Sequence, residues 1–164
     1  MDRVDLIQAA WARERPDLDV SPLGVIGRLH RLGVLLTEEL LTVYRRHGLG
    51  EGEFDVLATL RRSGPDHALA PGELAAHTMV TSGAVSKRLD RLERDGLVSR
   101  TRDDGDGRGR VVRLTEAGRR VIDAAFAEHL ANEERLLTEL DPGDRELLAE
   151  LLGRWLSRVE PVTD

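Results

Sequence analysis

The 164-residue chain contains no cysteine. Disulfides, thiolate metal ligands and cysteine-based redox switches are excluded together. Aromatic residues make up only 3%, so the core has to be built from Leu, Val, Ala and Ile. That mixture, with abundant Arg and Glu, favours helix. No apolar run approaches the roughly 20 residues that span a bilayer, so no membrane partner is expected. The opening MDRVDLIQAAWARER is charged at both ends and lacks an apolar signal core, which points to a cytoplasmic protein. Lysine is nearly missing as well, Lys87 being the only one. The five histidines, His30, His47, His67, His77 and His129, lack metal-ligand spacing. There is no Gly-x-Ser-x-Gly elbow and no phosphate loop. The run DDGDG at 103–107 hints at a calcium loop. Counted from Asp104, however, position five is Arg108 and position twelve is Thr115, where a bidentate Glu is needed. No catalytic, metal or cofactor site is expected.

What is present is a basic island in an acidic chain. The formal net charge is −6, yet residues 80–120 hold 11 basic and 7 acidic side chains, a net of +4. Residues 121–164 hold 4 basic and 11 acidic, a net of −7. Phosphate contact requires a local cluster, not a basic total.

Within the island, TSGAVSKRLDRLER (81–94) reads as an amphipathic helix. At about 100° per residue, Val85, Leu89 and Leu92 share one side. Gly83, Ser86, Lys87, Asp90 and Arg94 share the other, and Arg88 and Arg91 lie along one border. Thr81 or Ser82 is placed to cap the start, and Gly96 to end the helix in a left-handed conformation. Taken alone, the stretch is equally an ordinary surface helix. Its setting decides for a helix that lies in a DNA major groove.

The pattern around it predicts helices over 4–15, 23–46 and 51–62, a brief strand at 67–70 and a small helix from Pro71. The small helix and the cationic helix form a helix-turn-helix. Two β-prone runs, 97–102 and 110–114, flank the Gly- and Asp-rich turn and read as a hairpin, or wing, carrying Arg108, Arg110 and Arg113. Thr115 caps a helix running to about 140, and a last helix covers 144–159. The fold class is mainly α with a small β-hairpin. Residues 1–48 are assigned to dimerisation and a ligand pocket, 49–115 to the winged helix-turn-helix, and 116–164 to further dimerisation helices. The outer helices carry more apolar face than a winged helix needs, which favours a homodimer over self-burial in a monomer.

The hairpin and the start of the next helix spell D-x-R-x-x-x-V-x-L-T-x-x-G, as Asp106, Arg108, Val112, Leu114, Thr115 and Gly118. With TSGAVSKRLDRLERDGLVSR just upstream, the chain resembles the MarR family of dimeric winged-helix transcription regulators over nearly its whole length. The resemblance implies a regulator of palindromic operators, more commonly a repressor, released from double-stranded DNA by a small molecule. Ser82, Gly83 and Ser86 let the backbone approach the groove. Lys87, Arg91 and Arg110 meet phosphates or base edges, and Arg108 enters a minor groove, oriented by Asp106.

A narrower resemblance is to the subgroup of urate-responsive and PecS-like regulators and relatives answering to citrate or aconitate. It implies an effector site of Trp11, Asp55, Arg88 and Arg100, suited to urate, a tricarboxylate or an aromatic carboxylate. An anion arriving there repels Asp55 and pulls on Arg88, which belongs to the DNA-reading helix. The plainer alternative is a structural Asp55–Arg100 ion pair with no ligand. Two further alternatives stay open: a winged helix used for protein contact, and a regulator without a ligand response.

Overall fold

Proline and glycine punctuate the chain, and its helices run between these breaks. In this computed structural model, residues 1–78, 82–102 and 110–160 are described, the side chains of 82–84 and 102 excepted. Helix α1 (Arg3–Glu14) is started by a capping box: the Asp2 carboxylate accepts from the N–H groups of Val4 and Asp5, and Asp5 accepts from that of Asp2. Helix α2 (Leu23–Arg46) follows Pro22 and ends before Gly48, whose φ of +72° is left-handed. Helix α3 is Glu51–Arg62. Strand β1 (Ala68–Leu69) leads into the short α4 (Pro71–His77), then α5 (Ser82–Arg94). Strands β2 (Val98–Arg102) and β3 (Arg110–Leu114) pair antiparallel with Arg102 opposite Arg110. The sheet order is β1-β3-β2, so the brief first strand adds a third member to the hairpin. Helix α6 is Glu116–Leu136 and α7 is Pro142–Val159.

The turn into α6 is tightly made. The Thr115 hydroxyl accepts from the Gly118 N–H at 3.0 Å and donates to the Gly96 carbonyl at 2.7 Å. A Cβ at Gly118 would lie 1.9 Å from the Leu97 carbonyl oxygen, so only glycine admits this approach. Helix α6 stops short of the expected 140. Arg145 reaches back from α7 and donates to the carbonyls of Leu137 (2.9 Å) and Leu140 (3.2 Å), serving groups that a continuing helix would have used.

The core lies in the winged helix and at its junction with the long helices. Val43 and Tyr44 of α2, Phe54, Val56, Leu57 and Leu60 of α3, and Val85, Leu89 and Leu92 of α5 belong to one buried cluster with Ile122 and Ala125 of α6. The outer helices are bare by contrast. Val4 is the only buried residue of α1, and α7 has none. Leu147, Leu151, Leu152, Trp155 and Leu156 of α7 are 40–57% exposed. These are the faces that the sequence pattern assigns to a second copy.

Candidate nucleic-acid interface and effector site

Helix α5 is held from behind and bare in front. Val85, Leu89 and Leu92 are at most 3% exposed, packed among α3, α4 and β2, while Ser86, Lys87, Asp90 and Arg94 are exposed. The Arg62 guanidinium donates to the His77 carbonyl at 2.9 Å and so ties the end of α4 to α3. The two helices of the helix-turn-helix are thus both held against α3. Arg110 is exposed at the outer end of β3, and Arg113 is fastened to the Asp66 carbonyl at 2.8 Å. Arg108 and Asp106 lie outside the described residues, as do the side chains of Ser82 and Gly83.

The arginines of this region divide into distinct roles. Arg91 is about half exposed, but its Nη1 is 3.2 Å from Oε1 of Glu53 and its Nε 3.7 Å from Asp95. Glu53 is buried, and its Oε2 accepts from the Gly50 N–H at 2.6 Å. One carboxylate therefore closes the start of α3 and draws Arg91 towards that helix. Sequence reasoning missed Glu53, although the spacing Gly50-x-x-Glu53 ahead of an apolar run is a readable capping signal. Arg100 enters the wing with its carboxylate partners on α5: Nη2 is 2.7 Å from Asp90, Nε is 3.6 Å from Glu93, and its backbone N–H donates to Glu93. It staples the wing to the reading helix.

Arg88 turns away from the groove face. A Cβ added at Gly52 would fall 1.9 Å from its Nε and 2.1 Å from its Cζ, so the guanidinium lies directly over the bare glycine of α3. Its Nη1 is buried without a hydrogen-bond partner. Asp55 lies one turn further along the same helix, on the strip shared by positions i and i+3. The Tyr44 hydroxyl is pushed up to about 12, by burial first and then by the charges of Glu133, Glu51 and Asp55.

Trp11 lies elsewhere in the chain. It is 51% exposed and borders a shallow depression of about 270 Å³ with Ile7, Ala10 and Glu14 of its own helix. Arg100 borders another, of about 250 Å³, with Glu93, Thr101 and Arg110. Thus Arg88 lies over α3 one turn from the position of Asp55, Arg100 is paired with Asp90 and Glu93 of α5, and Trp11 belongs to α1, which Arg28 and the Val20 carbonyl hold along the N-terminal half of α2. Among the described residues, no group of three or more His, Asp or Glu is placed to hold a metal ion. No helix among them is long and apolar enough to cross a membrane.

Comparison with known proteins agrees with this architecture. Residues 47–109, from the end of α2 through most of the wing, match the MarR family model. The transcriptional regulator PecS of Dickeya dadantii is 39% identical over 92% of this chain and 90% of its own length. The transcriptional repressor YetL of Bacillus subtilis is 26% identical over 90% of this chain and 88% of its own. A Streptomyces coelicolor MarR family regulator, Sco3205, solved in complex with DNA, shares the fold with a TM-score of 0.75 at 23% identity, over 88% of this chain and 91% of that one. The similarity to PecS spans nine-tenths of both chains and the family model covers α3 to α5 and the first strand of the wing: the chain belongs to the MarR family of helix-turn-helix transcriptional regulators, and is a DNA-binding regulator and not an enzyme.

Proposed function

We propose that the protein is a cytoplasmic homodimeric repressor of palindromic operators, released from DNA by a small planar anion. The observation that carries this reading is Arg88. It belongs to the helix whose front reads DNA, yet its guanidinium is turned back onto Gly52 with a buried, unpartnered donor. A buried donor without a partner is costly, and an anion that accepts from it relieves that cost. Glu51 and Asp55 flank Gly52 on α3, so that helix brings negative charge to the region of the guanidinium. An arriving anion repels these carboxylates, draws on Arg88 and so moves α5.

The division of labour follows the layout. Residues 49–115 read the operator through Ser82, Gly83, Ser86, Lys87 and Arg91 on α5 and Arg108 and Arg110 on the wing. Arg91 reaches phosphate by exchanging Glu53 for it. The helices at 1–48 and 116–164 bury their apolar faces against a second copy, so that two reading helices meet successive major grooves. Trp11, Asp55, Arg88 and Arg100 serve the effector, with Arg100 transmitting through its bond to Asp90. The similarity to a named repressor, YetL, favours repression.

Gel shifts on the DNA upstream of the protein's own gene, at two salt concentrations and with or without urate, citrate or an aromatic carboxylate, test the reading. Affinity is expected to fall steeply with salt, and one of these anions to release the operator. Salt-independent binding would point to protein contact instead. Release by none of the anions would refute the effector site.

A further inference from the structure

We propose that Asp90 and Glu93 are positioning residues for DNA binding: through Arg100 they hold the wing at a fixed angle to α5, so that helix and wing meet the operator already aligned. This rests on the DNA contacts proposed above for the wing. A two-stranded ribbon is marginal on its own, and support for this one ends early. Strand β1 pairs only with Val112 and Arg113, on the inner half of β3, and β2 is an edge strand. Val112 is buried, whereas Arg110 at the outer end of β3 is exposed. The open depression of about 250 Å³ bordered by Glu93, Arg100, Thr101 and Arg110 separates the outer hairpin from the helix.

Arg100 stands where that support ends. Its backbone N–H, on the free edge of β2, donates to Glu93 Oε1 at 3.2 Å. Its Nη2 donates to Asp90 Oδ1 at 2.7 Å, and its Nε lies 3.6 Å from Glu93 Oε2. Asp90 and Glu93 stand at i and i+3 on α5, so neighbouring carboxylates grip one residue by main chain and side chain together. The Arg100 side chain is only 21% exposed, unlike the open surface pairs that contribute little. Among the described residues, no hydrogen bond or ion pair joins α5 to the hairpin further out than this one. Charge sharpens the assignment. Asp90 lies between Lys87 and Arg94 on the exposed strip of α5, where phosphates repel a carboxylate. By charge alone, its removal tightens DNA binding. As a positioning residue its removal weakens binding, because a wing free to swing must be ordered at the moment of contact. The two accounts differ in sign.

Asp90→Asn and Glu93→Gln keep size and remove charge, singly and together. In gel shifts on the DNA upstream of the protein's own gene, the double variant should bind roughly tenfold more weakly than wild type. Arg110→Ala should cost the wild type affinity and cost the double variant little, since a wing that is not held contributes little either way. Tighter binding by the double variant, or an Arg110→Ala loss as large there as in wild type, overturns the proposal. An Arg110→Ala chain that binds like wild type refutes the wing contact, and a DNA-free measurement then decides the rest. A nitroxide is placed on Thr101→Cys, exposed one residue beyond Arg100 in a chain with no other cysteine. Its spectrum should show greater mobility once Asp90→Asn and Glu93→Gln are added. An unchanged spectrum refutes the hold on the wing, whatever the gel shifts show.

Discussion

Gly52→Ala is the sharpest test of the seat under Arg88, because its effects on stability and on response run in opposite directions. The new methyl would stand 1.9 Å from Arg88 Nε, 2.1 Å from Cζ and 2.6 Å from Cδ, so the guanidinium has to leave. Gly52 is in helix α3 with no positive φ, so alanine gains about 1 kcal/mol of helix propensity there. The displaced Nη1 also recovers water, ending a burial penalty of about 1–3 kcal/mol. Lost packing of the arginine stem offsets part of this, by about 1–3 kcal/mol. The net is centred on a gain of about 1 kcal/mol, between a loss of about 1 and a gain of about 3, and each 1 kcal/mol moves Tm by about 2–4 °C in a chain of this size. The effector meanwhile loses a charge-assisted bond of about 1.5–3 kcal/mol, which raises the urate concentration for half-release of operator by roughly tenfold to a hundredfold. Thermal unfolding and a urate titration of the operator gel shift measure the two effects, with Arg88→Ala alongside. The double variant should respond like either single one. A Gly52→Ala protein that releases operator at the wild-type urate concentration, or whose Tm drops by many degrees, refutes the seat.

Lys87→Ala should weaken operator binding evenly across sequences and lower the slope of log affinity against log salt by about 1 for each phosphate that the ammonium neutralises; an unchanged slope would remove Lys87 from the interface. Glu53→Gln keeps the Gly50 cap but drops the charge that holds Arg91, so operator binding in gel shifts should tighten, and weakening would show that the Glu53–Arg91 pair positions α5 instead. Leu152→Glu puts a charge on the bare face of α7 and should yield monomers by light scattering with operator affinity abolished; a fully dimeric variant would move the interface elsewhere. Asp2 is held below its ordinary 3.8 by Arg28 and then by the Asp5 N–H, and Asp5 by the Asp2 N–H and then Arg28. Their contribution to docking α1 is therefore complete above pH 3.8 and lost as pH falls through the depressed values. Trp11 fluorescence in a Trp155→Phe background should report α1 undocking in that acid window, and an Arg28→Ala chain should show it already at neutral pH.

Much of the fold was legible because its breaks are chemical. Helices α2 and α3 and strand β3 begin and end where Pro22, Gly48, Gly50, Ser63 and the turn glycines dictate, and Thr115 caps α6 as its hydroxyl and position require. The end of α6 was not legible locally, since it depends on Arg145 arriving from the next helix. The inward turn of Arg88 could be read from its border position on α5 together with the family resemblance. The bonds of Arg91 to Glu53 and of Arg100 to Asp90 and Glu93 could not, because each joins elements whose packing no local pattern encodes. Trp11 shows the same limit on a larger scale: the family resemblance groups it with Arg88, while within one chain α1 is held along the N-terminal half of α2 and Arg88 lies over α3.

That separation bears on how a signal passes. Helix α5 has three working sides: Val85, Leu89 and Leu92 anchor it, Ser86 and Lys87 face outward, and Arg88 and Arg91 are turned to α3. Because the anchor is rigid, a pull on Arg88 shifts the outward side as a unit. On the function proposed for Arg88, operator and effector bias one element, and their coupling must be reciprocal. At a coupling of about 1–3 kcal/mol the anion weakens operator binding about 5- to 150-fold, and operator weakens the anion by the same factor.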